Sequence, residues 1–178
     1  MFNKLEEIIK NIDGNVLSIC LDQKLMNCFA RNNKINLYSI DSNSDNNGFF
    51  KKSKKKKTNK GKTINIKKLR KFINKKSVDY MFCNMNEMFD YYKYFIKDSI
   101  YLNNNKLYIY ADKNIDKDLL IKNYKRYDTS IEYFEYKTGY LLIIVNKNSK
   151  TNFIKDILYL IKDTFYNIAE MIGNLLIS

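Results

Sequence analysis

Hydrophobic positions along the chain repeat with two periods, and the two alternate. Phe2, Leu5, Ile8, Ile9 and Ile12 recur at helical spacing, and Asp13-Gly14 ends that helix. Asn15–Cys20 (NVLSIC) reads as a short buried strand. Asp22 is placed to cap a following helix in which Leu25, Met26, Phe29 and Ala30 face inward. Lys34–Ile40 (KINLYSI) alternates as a second strand. From Asp41 to Lys60 apolar residues nearly vanish, which predicts a long loop. Lys62–Ile66 is a short strand, followed by a basic helix with Leu69, Phe72 and Ile73 inward. Val78–Cys83 is a strand, and Met88 to Tyr101 an aromatic-rich helix with Met88, Tyr91, Tyr92, Phe95, Ile96 and Ile100 on one face. Lys106–Ala111 is a strand and Ile115–Tyr124 a helix. Ser130–Tyr136 and Tyr140–Asn146 flank Lys137-Thr138-Gly139 as a β-hairpin. Asn152–Ile177 has the pattern of one long amphipathic helix.

Strands alternating with helices predict an α/β fold: three layers, with a mostly parallel sheet covered on both faces. The closing hairpin adds an antiparallel strand at one edge. The expected organisation is a domain over 1–149, with a disordered basic loop at 41–61. A C-terminal amphipathic helix over 150–178 would pack on the domain or on a partner. Phe153, Ile157, Leu158, Ile161, Phe165 and Ile168 belong to its apolar stripe. Burial of each large side chain gains about 1.5–3 kcal/mol, so the stripe needs a cover: the parent sheet, a homodimer partner or a membrane surface.

Charge adds a second division. Between Lys51 and Lys76 lie 14 of the 32 basic residues and none of the 19 acidic ones, so the rest of the chain holds 18 basic against 19 acidic. The chain therefore reads as a near-neutral domain carrying one basic segment. Lys51, Lys52, Lys54, Lys55, Lys56, Lys57, Lys67, Lys68, Arg70 and Lys71 are the candidate anion-binding residues. Such a segment holds a nucleic acid or another polyanion through phosphates by counterion release, without reading sequence. A flexible solvated loop whose lysines reflect an AT-rich genome is the competing reading.

Chemistry is restricted by what is missing. There is no histidine, so Ser-His-Asp and Cys-His nucleophile systems and His-ligated zinc are excluded. Cys20, Cys28 and Cys83 form no C-x-x-C pair, which favours reduced thiols and no metal. Met1-Phe2-Asn3-Lys4-Leu5-Glu6-Glu7 carries charge where a signal segment would be apolar, so the expected address is cytoplasmic.

The order of elements, βα units that finish with a β-hairpin, resembles the class I S-adenosylmethionine-dependent methyltransferase superfamily, a Rossmann-like fold. The resemblance covers roughly residues 12–146. In that family the first strand runs V-L-D-[IVL]-G-x-G-x-G and its glycine loop cradles the cofactor. The matching stretch is Val16-Leu17-Ser18-Ile19-Cys20-Leu21-Asp22-Gln23-Lys24. Its hydrophobic frame agrees, Ser18 replaces the acidic residue, and Cys20, Asp22 and Lys24 replace the glycines. Glycines there permit tight turning and close approach to a ligand.

The resemblance places Asp41 where the family's ribose-binding acid follows the second strand, with a plain turn residue as the alternative. Asn84 stands where many members begin N-P-P-Y, with helix capping as its alternative. Cys20, Asp22, Asp41 and Asn84 are thus the candidate positions for S-adenosylmethionine. Asn103-Asn104-Asn105-Lys106 looks like a variant of the family's L-x-P-G-G turn. The implied function is a methyltransferase-like domain with a degenerate cofactor motif that holds an anionic partner, nucleic acid favoured. An active methyltransferase on nucleic acid and a peripheral membrane or assembly protein are the alternatives.

Overall fold

The computed structural model of the chain describes residues 1–42, 47–54, 57–58, 62–65, 73 and 77–147; across 41–65 the description is of the backbone. The chain divides into two compact units, Met1–Lys147 and Asn148–Ser178. The predicted C-terminal helix belongs to the second and lies outside the described residues, as does the basic helix expected after Ile66 apart from Ile73, which is buried.

Helix α1 (Phe2–Asn11) buries Leu5 and Ile9, four positions apart and so on one face. Strand β1 (Gly14–Ile19) follows, then α2 (Gln23–Arg31), whose N-cap is Asp22. Leu25 and Phe29 are its buried residues, while Ala30 is exposed. Ala30 follows Phe29 by one position, which turns it about 100° away from the sheet. Strand β2 (Ile35–Ser42) lies parallel to β1 with Gly14 opposite Ile35 and Ile19 opposite Ile40.

The expected loop at 41–61 differs from the observed backbone. Strand β3 (Asn47–Lys54) pairs antiparallel with β2, Leu37 opposite Ser53 and Ser42 opposite Gly48. The short β4 (Lys57–Thr58) and β5 (Lys62–Asn65) both pair antiparallel with β3. An open β2 edge leaves unpaired backbone donors and acceptors, and a returning strand satisfies them whatever its side chains. Lysines are also residues that natural sheet edges use against further pairing.

Strand β6 (Val78–Asn84) returns to the other side of β1, in parallel. The aromatic helix is broken into α3 (Met85–Met88), a 3₁₀ turn at Phe89–Tyr91, and α4 (Tyr92–Leu102). Strand β7 (Asn103–Asp112) starts three residues earlier than expected and is parallel to β6. The Asn103-Asn104-Asn105 run is thus strand rather than turn. Asn103 is buried, its Oδ1 accepts from the Asn105 N–H at 3.3 Å, and its carbonyl accepts from Asn146 Nδ2 at 3.5 Å. Helix α5 (Lys117–Tyr124) leads to the hairpin of β8 (Thr129–Glu135) and β9 (Gly139–Asn146), with β9 antiparallel to β7.

The resulting sheet order is β4-β3-β2-β1-β6-β7-β9-β8. Period-two alternation divides its core into two faces. Leu17, Ile19, Met81, Cys83, Leu107 and Ile109 join the cluster under α3, α4 and α5. Val16, Phe82, Tyr108, Tyr110 and Leu141 join the cluster under α1 and α2. On that face Phe29 meets Phe82 edge-on at 5.0 Å, and Phe82 stacks on Tyr108 at 4.5 Å. The three layers predicted by the alternating pattern are present. No helix among the described residues is long and apolar enough to cross a membrane.

Candidate functional site

After β1 the chain moves to β2 on one side and later returns to β6 on the other. That reversal falls at the carboxyl ends of β1 and β6, the place where open α/β sheets hold ligands.

Cys20 is the first residue past β1. Its φ is +53°, and it is the one non-glycine with positive φ among the described residues. The backbone of this turn therefore keeps the left-handed conformation that glycine supplies without steric penalty, although the side chain is a thiol. Such a residue costs on the order of 1–3 kcal/mol and persists only where its surroundings over-determine it. They do so here: the Cys20 N–H donates to the Ile40 carbonyl at 2.7 Å, and the side chain is buried. Cys83, at the end of β6, is also buried. Burial, and behind it the nearby Cys20, pushes the Cys83 thiol well above its ordinary pKa.

Two residues on, each carboxylate oxygen of Asp22 accepts one hydrogen bond. Oδ1 accepts from the Leu25 N–H at 3.0 Å, an N-cap that satisfies one of α2's open donors. Oδ2 accepts from the Tyr110 hydroxyl at 3.2 Å, a link from the β1 turn across β6 to β7. Burial raises the Tyr110 pKa far above the usual phenol range, and the Asp22 charge adds to it, so the hydroxyl remains a donor. Lys24 pairs with Glu6 at 3.3 Å and stands 5.4 Å from the Phe2 ring centroid. Ser18, at the family's acidic position, is buried, with its Oγ 3.4 Å from the Tyr38 carbonyl and 3.5 Å from Met26 Sδ.

Asn84 caps α3: its Oδ1 accepts from the Asn86 N–H at 3.2 Å. Asn86 Oδ1 in turn accepts from the Asp112 N–H at 2.9 Å, tying the end of β6 to the end of β7. Asp41 lies within β2 with its Cα opposite Phe49, and its side chain is outside the description. Cys20, Asp22 and Asn84 thus gather at one end of the sheet. Of the anion-binding candidates, Lys51, Lys52 and Lys54 lie on β3 and Lys57 on β4. Lys55, Lys56, Lys67, Lys68, Arg70 and Lys71 fall outside the described residues.

A second feature at this end escapes sequence reasoning. A cleft of about 350 Å³ opens between the end of β7, the start of α5 and the β8–β9 turn, lined by Lys113, Ile115, Asp116, Lys117, Glu135 and Tyr140, with Gly139 beside them. Lys117 makes an ion pair with Glu135, and its Nζ stands 4.4 Å from the Tyr133 ring centroid. That hydrogen bond lowers the Glu135 carboxyl's pKa and raises that of the Lys117 ammonium. Tyr140 donates to the Ile115 carbonyl at 3.1 Å. Lys117 and Glu135 are 18 positions apart in sequence, with no periodicity to join them. No group of three or more Cys, Asp or Glu that could hold a metal occurs among the described residues.

No protein-family model matches the chain, and no curated protein sequence matches it. Solved structures do resemble it. A release-factor-specific protein-(glutamine-N5) methyltransferase from Alicyclobacillus acidocaldarius is 8% identical, with a TM-score of 0.49, over 82% of this chain and 91% of that one. The METTL16 methyltransferase domain is 11% identical, with a TM-score of 0.42, over 82% and 65%. TrmK of M. capricolum, solved in complex with S-adenosyl-homocysteine, is 15% identical, with a TM-score of 0.39, over 82% and 67%. The chain's own topology is a parallel β2-β1-β6-β7 core, a reversal of chain direction between β1 and β6, and a closing antiparallel hairpin. The chain has a three-layer α/β, Rossmann-like fold in which a parallel β2-β1-β6-β7 core carries antiparallel strands on both sides.

Proposed function

We propose that this chain is a methyltransferase-fold binding domain that has given up its cofactor and holds a nucleic acid through the lysine-rich segment 51–76. The observation that carries the reading is the commitment of the polar groups at this end of the sheet to the fold itself. Each Asp22 oxygen already accepts a bond from within the fold, one from Leu25 and one from Tyr110. Asn84 spends its acceptor on a helix cap. Ser18 is buried where an acid would stand. A methionine-derived nucleoside needs backbone approach at a glycine loop and free acceptors for its ammonium and ribose. Cys20 in the turn and the engaged Asp22 and Asn84 do not fit that need. Binding is then left to charge, and Lys51, Lys52, Lys54 and Lys57 sit on paired strands at the β2 edge, where phosphates can be met without sequence readout.

Two titrations test this. Calorimetry with millimolar S-adenosylmethionine is expected to show no heat of binding. Fluorescence anisotropy with a labelled RNA oligonucleotide is expected to show affinity that falls steeply with salt. Neutralising Lys51, Lys52 and Lys54–Lys57 to Gln is expected to flatten that slope by several units, since each phosphate contact contributes about 0.7–0.9. An unchanged affinity and slope would defeat the nucleic-acid reading. A second reading, an active methyltransferase, has one observation in its favour: the left-handed backbone at Cys20, which is the turn a glycine loop uses. Saturable heat with the cofactor would establish that reading instead.

A further inference from the structure

We infer that a second, smaller anion site lies at the opposite end of the sheet, built by Lys10, Arg31 and Lys34, and that it takes phosphate oxyanions. The inference extends the reading above, because it names a further part of the surface that a nucleic-acid backbone would contact.

The site begins with two helix ends. Lys10 is in the last turn of α1 and Arg31 closes α2. Asn32 fastens the two: its Nδ2 donates to the Ile9 carbonyl at 2.6 Å and to the Ile12 carbonyl at 2.9 Å. Its Oδ1 accepts from the Lys34 N–H at 2.9 Å, which fixes the entry into β2. A cleft of about 240 Å³ forms at this junction, lined by Lys10, Arg31 and Lys34 together with Glu6, Cys28 and Asn32. That is below the roughly 300–1,000 Å³ of sites for whole small molecules, so it suits one or two oxyanion groups.

The cleft holds three cations against one acid. Among the described residues none of the three cations takes part in an ion pair. Glu6, the one acid in the lining, is engaged by Lys24 at 3.3 Å. Helix C-termini attract cations, which accounts for Lys10 and Arg31 singly, at about 0.3–1 kcal/mol each. It does not account for Lys34, which lies before a strand, nor for the convergence of all three on one cleft.

Sheet register connects the cleft to the lysine segment. Strand β3 runs antiparallel to β2, so Ser53 stands opposite Leu37, and β3 ends at Lys54, paired with Lys57 of β4. This end of β3 therefore lies at the amino end of β2, the end that Lys34 precedes. Lys34 lies three positions before Leu37, about 10 Å along a strand. A polyanion held along β3 and β4 would find its next positive charges at Lys34 and Arg31. The shared ligand chemistry is the phosphate oxyanion, supplied either by a nucleic-acid backbone or by a small phosphate compound.

The test compares wild type with K10Q/R31Q/K34Q and with a charge-matched control, K122Q/K125Q/K147Q, at the end of α5 and just after β9. Circular dichroism confirms that all three are folded. With a labelled RNA oligonucleotide, the cleft variant is expected to lose about two units of salt slope, from contacts worth about 0.7 each on a single strand. The control is expected to lose far less. In a second arm, inorganic tripolyphosphate is titrated while amide shifts are followed by NMR. Shifts are expected at residues 9–12 and 31–35 in wild type and not in the cleft variant. A cleft variant that behaves as the control does, with no tripolyphosphate shifts in wild type, overturns the site. Tripolyphosphate shifts without any oligonucleotide binding by wild type would sink the nucleic-acid reading and leave the cleft as a small-phosphate site. Oligonucleotide binding that needs Lys51–Lys57 but not the cleft would do the reverse.

Discussion

Ser99 on α4 and Tyr124 at the end of α5 are both fully buried, with Oγ and the phenol oxygen 2.9 Å apart. Either could donate in isolation. The Ile96 carbonyl decides between them, because it lies 2.8 Å from Ser99 Oγ and can only accept. The single Ser99 proton goes to Ile96, so Tyr124 donates to Ser99. The two truncations then differ in what they strand. Ser99→Ala leaves a phenol hydroxyl buried with no acceptor, a desolvation cost of about 1–3 kcal/mol. Tyr124→Phe removes the donor and leaves Ser99 with its own proton still placed, so only about 0.5–1.5 kcal/mol is lost. Once Tyr124 is Phe, adding Ser99→Ala strands nothing, and the double variant is expected within about 0.5 kcal/mol of Tyr124→Phe alone. Urea unfolding followed by circular dichroism gives all four stabilities, provided m stays constant. Tyr124→Phe costing as much as Ser99→Ala, or a double variant equal to the sum of the singles, would refute the assigned direction of this hydrogen bond.

Gly139→Ala is expected to destabilise the hairpin strongly, by about 2–3 kcal/mol. A Cβ there would sit 2.1 Å from the Ala111 carbonyl oxygen, a backbone atom of β7 that cannot swing aside; a melting temperature within a degree of wild type would contradict this. Tyr108 supplies a pH test. Burial, with Tyr80 and Glu132 adding repulsion, pushes its pKa from 10 up to about 12. Above pH 10 the unfolded chain releases this proton while the folded chain keeps it. Its contribution is therefore complete below pH 10 and lost as pH rises toward 12, at up to about 1.4 kcal/mol per pH unit. Stability measured from pH 9 to 12 should fall less steeply for Tyr108→Phe than for wild type, and equal slopes would rule the effect out.

The elements most legible in the sequence are those whose own residues close their hydrogen bonds. Asp22 was readable as a cap because the side chain serves a donor three residues away. The β8–β9 hairpin was readable because alternation brackets Lys137-Thr138-Gly139. Strand β3 was not, since a lysine-rich stretch signals solvation and its pairing comes from the β2 edge, a property of another segment. Asn103 reads as a turn residue until Asn146, 43 positions on, reaches its carbonyl. The candidate site divides in the same way. Hydrophobic framing located the β1 turn. Nothing local announced that Tyr110, 88 positions away, would occupy Asp22, or that Lys117 would pair with Glu135.

The left-handed backbone at Cys20 bears on how such a fold could be redesigned. A turn that had collapsed when its glycines were replaced would need rebuilding from the backbone outward. This one holds its shape through the Ile40 hydrogen bond and the Asp22 cap, neither of which depends on the residue at position 20. Glycine could be placed there with its φ already set. The turn is in that sense a frame set by its backbone, open to a change of residue.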